Sequence, residues 1–153
     1  MISLIILAQK EMGEGLLNAI EHVLGTRPSA LDIQPIDYHQ SPETLTQALA
    51  ARIRKIDQGD GALILADIYG SSHTNAACWL LVPGRIELVS GVNLPMLVRV
   101  LNYRDLPMSE LLRKAQSGGT QGIVRGTPPA RAADDSKDGG GRTASGTAVE
   151  GKR

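Results

Sequence analysis

Three short stretches hold the residues whose types could do chemistry: Gln9-Lys10, Asp67 with the loop Gly70-Ser71-Ser72-His73, and Gly91-Val92-Asn93. Asp67 closes an apolar run, Ala62 to Ala66. Burying an unpaired carboxylate is costly, so a carboxylate at the end of a buried strand calls for a partner. It could accept a phosphoryl group itself, bind a metal ion or orient a histidine. No second acidic cluster accompanies a strand end, so both the aspartyl-phosphate receiver and the magnesium site lack ligands. Orienting a histidine is left by elimination. The plain alternative makes Asp67 an acceptor for the amides of the next loop.

Gly70, Ser71 and Ser72 supply backbone N–H groups and hydroxyls ahead of a helix, which suits an anion such as phosphate. Small residues there also suit ordinary helix capping, and the two readings weigh equally. His73 is the histidine nearest this loop; it is a general base, a phosphoacceptor or an ordinary loop residue. Gln9 is neutral, and its amide nitrogen is not nucleophilic. Lys10 could meet an anion, although a solvated lysine is the commoner case. His22 falls on the polar side of its helix and His39 in a loop, so the three histidines make no metal site. Cys78 reads as a small buried hydrophobe.

These residues need elements to position them. The spacing predicts strands over Ile2 to Leu7, Leu31 to Ile36, Ala62 to Ala66 and Arg85 to Ser90. Pro35 cannot donate to a ladder, which puts the second strand at a sheet edge. Helices are expected over Glu11 to Leu24, from Ser41-Pro42-Glu43 onward, over Thr74 to Leu81, over Met96 to Tyr103 and over Met108 to Gln116. Gly118-Gly119 should end the last helix, and Gly122 to Val124 reads as a short final strand. Strand and helix alternate with short connections. The expected fold is therefore α/β: an open, mainly parallel four-stranded sheet with helices on both faces. The carboxyl ends of the strands then bring Gln9-Lys10, Asp67 to Ser72 and Gly91 to Asn93 to one rim.

The bulk composition narrows the function. With 153 residues the chain suits one domain, and its net charge of +0 gives no general pull towards nucleic acid or an anionic membrane. Aromatic residues make up 3% and Phe is absent, which disfavours a base-stacking surface. A single cysteine excludes an internal disulfide. The opening apolar run is too short to span a bilayer, so no membrane insertion is expected and a cytoplasmic location is. Residues 1–125 form the expected domain. Residues 126–153, rich in Gly, Ala, Ser and Pro without an apolar period, form an expected disordered tail.

The segments Glu11 to Leu17 (EMGEGLL), Gly59 to Gly70 (GDGALILADIYG), Ser71 to Asn75 (SSHTN) and Ser90 to Leu97 (SGVNLPML) occur in an order and spacing that resembles one family. It is the enzyme IIA domain of the mannose family of the bacterial phosphoenolpyruvate-dependent sugar phosphotransferase system, and the likeness runs over roughly Met1 to Val124. The resemblance implies phosphoryl carriage from the histidine phosphocarrier protein to a IIB domain, with no cofactor. It implies a homodimer in which Gly122 to Val124 is an exchanged strand. It assigns Asp67 as the carboxylate that orients the phosphoacceptor histidine, and Gly70 and Ser72 as neighbours of the phosphoryl group.

The acceptor itself departs from the pattern. Where the family has a histidine followed by a small residue, this chain has Gln9 followed by Lys10. A carboxamide cannot carry phosphate as an imidazole nitrogen does. The loop departs too, with His73 where the family has proline. His73 as a substitute acceptor is disfavoured, because an acceptor must match the partner's docking geometry as well as its chemistry. The resemblance thus leaves two functions: impaired phosphoryl carriage, or a non-catalytic regulatory or partner-binding module on the same fold.

Overall fold

A computed structural model describes residues 1–130 of the chain. The order is β1 (Ser3–Gln9), α1 (Lys10–Leu24), β2 (Leu31–Ile36), α2 (Pro42–Ile56), β3 (Ala62–Ala66), α3 (Ser72–Cys78), β4 (Ile86–Ser90), α4 (Leu94–Tyr103) and α5 (Met108–Gln121). The four strands form one sheet in the order β2-β1-β3-β4, every neighbouring pair parallel. The fold expected from the sequence is the fold found.

The central strands explain the order. Leu4 to Ala8 of β1 and all of β3 are fully buried, because both sheet faces are covered. On one face Leu4, Ile6, Leu63 and Leu65 pack against α1, α4 and α5. On the other, Ile5, Leu7, Ile64 and Ala66 pack against α2 and α3. β2 lies at the edge, as Pro35 requires.

The helices follow their caps and stripes. Ser41 caps α2 by accepting from the Thr44 amide, and Pro42 occupies the first helical position. Leu45, Leu49 and Ile53 form its buried face. In α1 the buried stripe is narrower than the apolar pattern suggests: Gly13, Leu17 and Ile20 are inside, while Met12, Val23 and Leu24 are exposed.

The last helix departs from expectation. It does not stop at Gly118-Gly119 but runs to Gln121 with both glycines buried inside it. A Cβ on Gly118 would lie 2.5 Å from Arg99 Cβ, and one on Gly119 would lie 2.9 Å from Met96 Cε. These glycines serve the close approach of α4 and α5, which outweighs their poor helix propensity. Gly122, expected to open a strand, turns the chain off α5 instead, and Ile123 and Val124 follow it exposed and outside any strand among the described residues. Most of the expected tail, residues 131–153, lies outside the described residues. Among the described residues no helix is long and apolar enough to cross a membrane.

Candidate functional site

The parallel register assembles one rim. Leu7 pairs with Ala66, and Ala66 with Ser90, so the residues following them emerge side by side. Backbone bonds then lock the turns together. The Asp67 amide donates to Leu7 O (3.2 Å), the Gly91 amide to Asp67 O (3.1 Å) and the Val92 amide to Ala66 O (3.0 Å). Gly91 takes a φ of +82°, the left-handed turn that only glycine adopts freely, to bend β4 towards α4.

Gln9 is the last residue of β1 and precedes the first turn of α1, where its side chain is exposed and makes no capping bond. Lys10 opens α1 with its Nζ 3.9 Å from Glu14 Oε1, an exposed i,i+4 pair. Among the described residues nothing bonds Gln9 or Lys10 to Asp67. The Asp67 side chain is half-buried, and its Oδ1 accepts from the Ile68 amide at 2.6 Å. That is the loop-acceptor geometry, and it leaves Oδ2 without a bond among the described residues.

The loop divides its roles. Gly70 turns at a φ of +83°. Ser71 is the cap of α3: its hydroxyl accepts from the Thr74 amide at 3.1 Å and meets the Thr74 hydroxyl at 3.0 Å. The capping reading therefore describes Ser71. Ser72 is exposed, and its hydroxyl makes no hydrogen bond among the described residues. His73 turns its ring to Tyr38, edge to face, with centroids 5.2 Å apart and planes at 85°. No carboxylate among the described residues orients His73. Cys78 is half-buried rather than enclosed.

Two features escaped sequence reasoning. Tyr38 and His73 lie 35 positions apart, and no periodicity links them. Tyr38, Tyr69 and the sole tryptophan, Trp79, are all exposed, although aromatic side chains usually enter a core. The low aromatic count was visible; its concentration on the surface was not. Among the described residues no cluster of three or more His, Cys, Asp or Glu could hold a metal ion.

A parallel α/β domain whose uncommitted polar groups gather past the carboxyl ends of β1 and β3 defines a class with its site at that rim. The comparisons supply the family within the class. The profile of the EIIA-man family, described as "PTS system fructose IIA component", matches residues 3–116, and the chain belongs to that family. The mannose-specific EIIAB component of Escherichia coli K12 is 36% identical over 115 residues, covering 72% of this chain and 35% of that protein. The chain thus spans about a third of the length of the E. coli relative. The fructose-specific EIIA component of Bacillus subtilis is 27% identical over 123 residues, covering 79% of this chain and 84% of that protein. Among solved structures, the mannose/sorbose-specific IIA subunit from Enterococcus faecalis superposes with a TM-score of 0.73 at 20% identity, covering 84% of this chain and 96% of that one. EIIA from Streptococcus agalactiae gives 0.71 at 24%, covering 82% and 97%. At such identities these structures speak for the fold.

Proposed function

We propose that this chain is an enzyme IIA component of a mannose-family sugar phosphotransferase system whose phosphoryl carriage is impaired, because Gln9 stands at the acceptor position. The observation that carries this reading is Gln9 itself: a neutral carboxamide at the end of β1, on the rim that also carries Asp67. An imidazole there would offer a nucleophilic nitrogen; the carboxamide offers none. The partners of this reading are the histidine phosphocarrier protein and a IIB domain, in the cytoplasm. Asp67 would orient the missing imidazole, and Gly70 and Ser72 would flank the phosphoryl group, while the Ser71 hydroxyl stays with the α3 cap and leaves only its backbone to that group.

The second reading is a regulatory or partner-binding module. Lys10 favours it. The family's small residue brings no charge to the start of α1, whereas Lys10 places an exposed ammonium there, 3.9 Å from Glu14 Oε1.

The test is phosphorylation by phosphoenolpyruvate, enzyme I and the phosphocarrier, read by intact mass. The native chain should gain no phosphate, and Gln9→His with Lys10→Gly should gain one. A gain in the native chain that vanishes in His73→Ala would overturn the proposal and make His73 the acceptor.

A further inference from the structure

Asn93 does more than its place at a helix start requires. Its Oδ1 accepts from the Met96 amide at 2.9 Å and caps α4. Ser, Thr or Asp would cap as well. Its Nδ2, however, donates to Gly119 O at 3.1 Å, across to the last turn of α5. Only asparagine among the strong caps carries this amide donor. The two partners also fix the amide's orientation, because a flip would set oxygen against a carbonyl and nitrogen against an N–H.

Gly119 O is one of the final carbonyls of α5, which have no partner inside the helix. Gly119 also makes room for the contact, since a Cβ there would stand 2.9 Å from Met96 Cε and 3.6 Å from Asn93 Oδ1. Just before Asn93, the Gly91 and Val92 amides hold Asp67 O and Ala66 O. An unbroken line therefore runs from the end of α5, through Asn93, to the turn that carries Asp67. A groove of about 460 Å³ beside β4 touches both ends of it, with Tyr69 and Gly91 on one side and Gly119 and Ile123 on the other.

We propose that Asn93 is a positioning residue that fastens the end of α5 to the Asp67 turn, so that the seating of residues 122–124 is felt at the rim. Asn93→Ser and Asn93→Asp both keep the cap and lose the Nδ2 amide donor. They separate the tie from the folding of α4.

The test is amide hydrogen exchange on the full chain. Both variants should raise exchange about fivefold, the factor one net hydrogen bond supplies, at residues 120–124 and also at Gly91 and Val92. Exchange at Leu4 to Ala8 should stay as in the native chain. A rise confined to residues 120–124, no rise, or a uniform rise over the sheet would overturn the proposal. The meaning of the tie rests on Asp67 belonging to the site, but the exchange readout does not depend on phosphoryl carriage. The mass experiment can therefore fail without this one failing, and the reverse.

Discussion

Two aspartates at opposite ends of β3 show what an acid's surroundings decide. Asp67 holds one amide and keeps an oxygen without a partner among the described residues, which suits a residue waiting for a second group. Asp57 is fully engaged: Oδ1 accepts from the Gly59 and Gly61 amides at 2.8 and 2.9 Å, and Oδ2 meets Arg85 at 3.0 Å. Partial burial works against the Asp57 charge, yet these amides and the guanidinium outweigh it and hold the pKa below the ordinary 3.8. A depressed folded-state pKa gives stability that is present above the unfolded value and lost as pH falls through the folded one. Asp57→Asn should therefore cost about 1–2 kcal/mol at neutral pH. The difference from the native chain should shrink in urea titrations well below pH 3.8. The sequence exposed Asp67 because it interrupts an apolar run. It hid the role of Asp57, whose partners come from the turn that follows it and from Arg85, in the turn before β4, 28 positions away.

At the scale of elements, the sequence read well where a face repeats and poorly where two helices approach closely. Leu45, Leu49 and Ile53 declare α2 by spacing, and Ser41-Pro42 declare its start. Gly118-Gly119 mislead for a physical reason: the same residue type ends helices and lets helices touch. Which of these applies depends on Arg99 and Met96, on another element. Opposite outcomes follow for two glycine substitutions. Gly15 lies exposed in α1 with nothing within 4 Å of an added Cβ, so Gly15→Ala should stabilise by up to about 1 kcal/mol through helix propensity. Gly118→Ala gains the same propensity but drives a methyl into the Arg99 stem, where overpacking costs about 1–3 kcal/mol. Thermal unfolding should raise the midpoint of the first variant and lower that of the second. Equal shifts would mean that α4 and α5 separate without cost.

The whole molecule leaves its two sheet edges in different states. At the β2 edge Pro35 removes a donor, and Arg52 reaches over from α2 to Asp32 and Gln34, at 2.6 and 2.9 Å. Such an edge resists pairing with another chain. The β4 edge is covered at Ile86, which exchanges both backbone bonds with Val82, but beyond that residue it carries no proline and no guanidinium among the described residues and borders the groove lined by Leu88, Ser90 and Met96. Ile123 and Val124, 80% and 78% exposed, leave α5 next to that groove. A chain that exposes an open edge and two adjacent apolar residues can bury both at once by pairing with a second copy. This is the physical basis for proposing the exchanged-strand homodimer. Sedimentation equilibrium should therefore give twice the 16.2 kDa chain mass. Ile123→Asp with Val124→Asp should give the single-chain mass with unchanged far-UV circular dichroism, because neither residue belongs to the core of one chain. A native chain that sediments as a monomer would reject the exchange. The β4 edge would then be open to a partner of another kind.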